Sequence, residues 1–244
     1  MDYREFAPSP PLDPFVECSW ERRAPAVEAP TTRVLPDGCA DLVWRSGELI
    51  VAGPDTESWL SPLRSGETVV GVRLRPGIAG SVLGLPASEL RNLRPTVEDV
   101  WSRSGAELEE RVSEAEDRRR RRGLLEAAVA KRLAAAERPD RLVLAATRRL
   151  GFPGSRVSRL SDDLGVSERQ LLRRFNRAVG YGPKTLDRVL RFQRFRSRAT
   201  LVGGGDEGLA RVAAELGYSD QAHLTRDCVR LSGQTPTRLL AAGP

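Results

Sequence analysis

The sequence predicts an α+β chain in two unlike parts. A β-rich, barrel- or sandwich-like N-terminal domain with short helices precedes an all-helical C-terminal domain. Three observations lead there. Runs of β-branched and aromatic residues, divided by PDG, SG and GP turn signals, fill about residues 15–75. From Arg141 onward the apolar residues recur every three to four positions. Charge divides at the same place: residues 141–244 hold 19 Lys+Arg against 9 Asp+Glu, a net +10, and residues 1–140 hold 20 against 24, a net −4. A basic excess confined to one half is what a polyanion-binding module joined to an acidic module gives.

The strand candidates in order are FVECSW, TRVLPDGCADLVWR, ELIVAG and TVVGVRLR, whose apolar residues run together or alternate as on a sheet with a core beneath it. PGIAGSVLGL and PASELRNL follow as short helices, each opened by proline. After TVEDVW, the stretch from Ser104 to about Ala136 predicts two amphipathic helices, one carrying Leu108 and Val112, the other Leu125, Val129 and Leu133. The charged run EDRRRRRG at 116–123 is expected to break them and to be solvated surface. The expected division is a β-rich domain at 1–102, a helical linker at 103–138 and a basic, all-helical domain at 139–244.

The last part carries an internal repeat. RLVLAATRRL is a helix stopping at Gly151, with Pro153 beyond. VSRLSDDL is a second, Gly165 turns, and Ser167 caps a third with Glu168 in its first turn. On that third helix Leu171, Phe175 and Ala178 share one face, and Arg169, Leu172, Arg173 and Asn176 share the other. The pattern returns as ARVAAEL, Gly217, a cap at Ser219 or Asp220, and a helix with Leu224 and Cys228 inward and Gln221, Ala222, Thr225 and Arg226 outward. Gly180 and Pro183 are matched by Gly233 and Pro236, with one residue inserted. PKTLDRVLRFQRFRSRATLVGGG joins the copies and is expected as one connecting helix, with Leu186, Leu190, Phe192 and Phe195 inward and a rim of arginines. Two helix-turn-helix units on such a rod would face successive major grooves about 34 Å apart.

Residues 141–240 resemble the DNA-binding domain of the AraC/XylS family of transcriptional regulators. The likeness rests on SERQLLRRFNRAVGYGPKTLDRVLRFQRF and on LARVAAELGYSDQAHLTRDCVRLSGQTPTRLL, which is similar to the family's A..LGY.D..HL.R......G.TP signature. It implies about seven helices in two helix-turn-helix units joined by a long helix. By the family's pattern, Arg169, Leu172 and Arg173 of the first unit and Gln221, Ala222, Thr225 and Arg226 of the second face the bases. Cys228 departs from the family's core phenylalanine. The N-terminal stretch from RVLPDGCADLVW to TVEDVW is similar to the β-rich domain that precedes some such domains in bacteria, which implies effector binding, dimerisation or both.

The residue types support that assignment independently. Arginine donates bidentately to guanine, glutamine to adenine, and Leu172 or Ala222 can touch a thymine methyl. Arg174, Arg177, Lys184, Arg194 and the other linker arginines suit phosphates, as does His223 where it does not simply pack. In the N-terminal half, Trp20, Arg33, Asp37, Asp41, Trp44 and Arg73 mix aromatic walls with charge and form a candidate effector pocket, against the alternative of core tryptophans and a PDG turn. Cys39 is a weaker candidate sensor thiol.

Other functions find little support. Three scattered cysteines and one histidine leave almost no metal ligands. GxSxG, Walker, HExxH and dinucleotide motifs are lacking, so neither an enzyme nor a cofactor is expected. Nothing approaches a membrane span or a leader, which predicts a cytoplasmic protein. The expected partners are double-stranded DNA, a second copy of the chain, a small-molecule effector and RNA polymerase. The alternative is a constitutive DNA-binding regulator whose N-terminal domain only dimerises.

Overall fold

The computed structural model describes residues 2–27, 31–199 and 206–241. The glycine run after the linker helix lies outside them. Seven strands come first: β1 Asp2–Phe6, β2 Val16–Arg23, β3 Thr31–Val34, β4 Ala40–Arg45, β5 Glu48–Ala52, β6 Trp59–Pro62 and β7 Thr68–Leu74. Five make an antiparallel sheet in the order β1-β2-β7-β4-β5, and β3 pairs with β6 as a separate ribbon. Ser46 and Gly47 close the β4–β5 hairpin with positive φ at both positions, the geometry that matches strand twist in a two-residue turn.

Alternation along the strands sorts side chains between two cores. Leu42, Trp44, Leu49, Val51, Val70, Val72 and Leu74 face the helices that follow, whereas Cys18, Trp20, Val43, Ile50 and Val69 face the ribbon. Gly71 sits opposite Trp20 in register, and a Cβ there would come within 2.4 Å of the indole, so only glycine lets the ring lie across β7.

The helices on the first face are α1 Ala79–Leu83, α2 Val97–Trp101, α3 Arg103–Ser113 and α4 Arg118–Ala135. Leu108 and Val112 of α3 and Leu125 and Val129 of α4 join the sheet's own core, so the stretch expected as a linker packs as part of the N-terminal layer. The arginine run does not break a helix. Asp117 accepts from the Arg120 N–H and caps α4 there, so the run forms the first turn of α4. Three of its members reach back onto the sheet. Arg122 and Arg118 reach the buried Glu21 at 2.6 and 3.5 Å, and Arg121 lies 5.8 Å over the Trp44 ring. A carboxylate buried in the sheet draws these guanidinium groups down onto it.

Among the described residues seven helices follow: α5 Arg141–Gly151, α6 Leu160–Asp163, α7 Glu168–Ala178, α8 Pro183–Ala199, α9 Asp206–Glu215, α10 Gln221–Ser232 and α11 Pro236–Ala241. Their apolar faces form two cores. Val143, Leu150, Leu171, Phe175 and Leu186 hold the first unit together, and Phe192, Phe195, Val212, Leu224 and Cys228 hold the second. The rod α8 supplies residues to both. The N-terminal layer packs on both units: Gly80 meets the backbone of Arg177 and Gly38 meets Leu186 and Leu190 of the first, and Leu35 packs against the core of the second. No helix among the described residues is long and apolar enough to cross a membrane.

Candidate nucleic-acid interface

Helix α7 is fixed at its start by a capping box in which the Ser167 hydroxyl accepts from the Gln170 N–H and the Gln170 side chain accepts from the Ser167 N–H. Leu171, Phe175 and Ala178 are buried beneath it. The opposite face presents Arg169, Leu172 and Arg173 to solvent, with Leu172 48% exposed. An isolated leucine so placed on a charged face is consistent with an apolar contact surface.

Helix α10 repeats the construction with other residues. Asp220, not Ser219, is the cap, accepting from the His223 N–H at 2.6 Å. That bond holds the Asp220 carboxyl below its ordinary range. Leu224, Cys228 and Leu231 face inward, with Cys228 wholly buried and its thiol pushed up to about 12 by desolvation. Ala222 and Arg226 are exposed, while Gln221 and Thr225 are half-buried. The Thr225 hydroxyl donates to the Gln221 carbonyl at 2.9 Å. His223 packs edge-on against Tyr218, its centroid 5.2 Å away, and its Nε2 lies 3.7 Å from Asp227.

The arginines fall into two groups. Arg169, Arg173, Arg177 and Arg226 are exposed and make no ion pair or side-chain hydrogen bond among the described residues, and Lys184 is likewise exposed and unpaired. The linker arginines instead serve the fold. Arg188 pairs with the buried Asp227 at 3.1 Å, Arg191 with Asp187 at 2.6 Å, and Arg198 with Glu215 at 3.0 Å. Arg194 donates to the Leu150 and Gly151 carbonyls at 3.0 Å each, closing the C-terminus of α5, and burial lowers its pKa. Arg174 pairs with Asp140 at 2.8 Å, the residue that caps α5. Arg174 and Arg194 thus hold α5 at its two ends, a use that the positive rim of the sequence did not reveal. Spacing gives the face of a residue but not the carboxylate or carbonyl that another segment brings to it.

In the N-terminal half the structure brings together Trp20, Asp37, Asp41 and Arg73 between the sheet and the ribbon. Asp41 and Arg73 are direct cross-strand partners, bonded by two contacts of 3.3 Å. Asp37 reaches the same guanidinium at 3.3 Å, and Trp20 Nε1 donates to Asp41 at 3.2 Å. Burial outweighs the attraction of Arg73 and lifts the Asp41 carboxyl to about 6, with Asp37 pushing the same way. Trp44 lies elsewhere: three residues from Asp41, it points to the helical face of the sheet. Arg33 is exposed on the ribbon and donates to the Ser58 hydroxyl at 3.0 Å. Among the residues that the sequence reading missed, Tyr3, Arg22, Trp59 and Arg94 join the pocket. Arg94 is held by Asp55 and lies 4.9 Å over Trp59. The Arg22 Nε is buried without a hydrogen-bond partner. Tyr3 and Trp59 lie on β1 and β6, which carry no alternating apolar run and gave no strand signal. Burial pushes the Cys39 thiol well above the ordinary value, the opposite of the low-pKa thiolate that a redox sensor needs.

Two capped helices, each preceded by a short helix and a left-handed glycine, Gly165 or Gly217, and joined by one rod, complete the arrangement. Residues 160–242 match the family model described as a helix-turn-helix domain. The C-terminal domain is an AraC-type helix-turn-helix domain. The protein that carries this AraC-type domain is a DNA-binding transcription regulator. Residues 4–111 match a domain of unknown function, DUF6597. No curated protein matches the chain. Among solved structures it is similar to an apo variant of ToxT from Vibrio cholerae, at 11% identity over 92% of this chain and 96% of that one, with a TM-score of 0.46. ToxT from the same organism bound to (E)-4-(8-methylnaphthalen-1-yl)but-3-enoic acid gives 11% identity over 91% and 97%, with a TM-score of 0.45.

Proposed function

We propose that the regulator reads an asymmetric DNA site through two unequal helices, α7 and α10. The observation that carries this reading is the sorting of the arginines. Those on the outward faces, Arg169, Arg173 and Arg226, are left without ion pairs, while their neighbours on the rod are spent on internal carboxylates and carbonyls. An exposed, unpaired guanidinium on the outward face of a capped helix suits guanine O6 and N7. Leu172 and Ala222 supply apolar contacts, and Gln221 and Thr225 polar ones. Arg177 and Lys184 fall to phosphates. The test is binding-site selection with single variants: Arg173→Ala or Arg226→Ala relaxes one base position each, and an equal loss on every sequence reassigns the residue to phosphate.

The N-terminal pocket is the proposed effector site, with Arg22 offering an unsatisfied donor beside the aromatic walls. Its free volume is only about 90 Å³, against at least about 300 Å³ for an ordinary ligand pocket. An effector would therefore enter by moving the β3–β6 ribbon. That small volume favours the second reading, a constitutive regulator whose N-terminal domain serves dimerisation. A thermal-shift screen of the full chain with metabolites separates the two. A ligand whose stabilisation is lost in Arg22→Ala supports the effector site, and silence across the screen favours the constitutive protein.

A further inference from the structure

A wide cleft lies where the two parts of the molecule meet. A cleft of about 990 Å³ is walled by α1, by the end of α4 with its connector to Arg141, and by the side of α7 that carries Arg173, Arg174 and Arg177. Six arginines line it against two carboxylates, Glu137 and Asp140, and Asp140 is already taken by Arg174 and by the first turn of α5.

One of the six is held rigidly without a counter-charge. Arg132 Nε donates to the Val82 carbonyl at 3.1 Å, and the guanidinium lies 4.9 Å over the Trp101 ring. Gly84 gives it a seat, since a Cβ at that position would come within 2.8 Å of Nη2. Arg132 makes no ion pair among the described residues, and neither do Arg138, Arg141, Arg173 and Arg177 in the same cleft. A guanidinium fixed before binding loses little freedom on meeting an anion, and its planar fork matches phosphate oxygens.

We propose that this cleft binds a small polyanion with two or more phosphate groups, nucleotide-sized, clasped between Arg132 of α4 and Arg177 of α7. The volume lies at the upper end of the range for small-molecule sites, roughly 300–1,000 Å³. Five uncompensated guanidinium groups against Glu137 call for several negative charges rather than one. Arg173 and Arg177 also belong to the DNA contacts proposed above, so an occupied cleft takes them from the duplex. Binding in the cleft does not rest on that reading, whereas the competition does.

The test uses the full-length protein, inorganic tripolyphosphate as probe, constant ionic strength and a duplex selected by the wild type. Calorimetric titration gives saturable one-to-one binding, weakened tenfold or more in Arg132→Ala and at least threefold in Arg138→Ala. The latter changes an exposed connector residue and keeps the test informative if the former folds poorly. Without probe, both variants bind DNA as the wild type does; with it, the wild type loses DNA over the calorimetric range and Arg138→Ala loses it only at higher concentration. Absence of saturable binding, or equal binding by all three proteins, overturns the site. Weaker DNA binding by the variants without probe overturns it too, making the cleft a duplex-backbone surface. Arginine-dependent probe binding that leaves DNA affinity unchanged keeps the site and overturns the competition, which locates the failure in the DNA role of α7.

Discussion

Arg173 and Arg194 carry the same side chain on the same basic domain and serve different ends. Arg173 is exposed and unpaired, and its loss should cost about 1–3 kcal/mol of binding to the selected site with specificity relaxed at one base pair. Arg194 is tied to two backbone carbonyls at the end of α5. Its replacement by alanine should lower unfolding stability by about 1–2 kcal/mol while leaving the salt dependence of DNA binding unchanged. A salt slope reduced by about one in Arg194→Ala would return it to the phosphates. Asp41 gives a third prediction, in pH. Its folded pKa of about 6 lies above the ordinary aspartate value of 3.8, so between those limits the folded chain holds a proton that the unfolded chain has released. Its contribution to stability is therefore favourable at low pH and declines as pH rises through about 6. Urea midpoints of the wild type relative to Asp41→Asn should fall between pH 4.5 and 7, and a rise would show that Arg73 outweighs burial.

At the scale of elements, the reading helices owe their positions to caps and a rod. Asp220→Ala removes the cap of α10 and should weaken contacts made by the start of α10 more than those made by α7, as read by selected-site affinity with each half of the site mutated in turn. Much of this layer was legible in sequence, because cap, turn glycine and inward leucines are local signals: Ser167, Gly165 and Leu171 announced α7, and Gly217, Leu224 and a cap at Ser219 or Asp220 announced α10. Alternation could also have placed Trp44, since an odd separation from Asp41 puts it on the other face of the sheet. What sequence could not show was long-range pairing. Glu21 drawing in Arg118 and Arg122, Asp227 holding Arg188, and Asp140 holding Arg174 join residues from 34 to 101 positions apart.

At the scale of the whole molecule, the N-terminal layer is seated on the helix-turn-helix units rather than tethered beside them. Gly38, in the loop that also carries Asp37 of the pocket, packs on Leu186 and Leu190 of α8, and the Pro36 carbonyl accepts from Gln193. Motion of that loop would therefore be felt by the rod that spaces α7 from α10. The basic excess of the C-terminal domain against an acidic N-terminal half predicts that DNA affinity falls steeply with salt. The central claim is that one chain reads two different elements. Selection of bound sites from random duplexes, with wild type, Arg173→Ala and Arg226→Ala in parallel, tests it most directly. The account predicts an asymmetric site of roughly two helical turns per protomer, in which each variant relaxes a different half. A short palindrome in which both variants relax the same position, or only one matters, would contradict it.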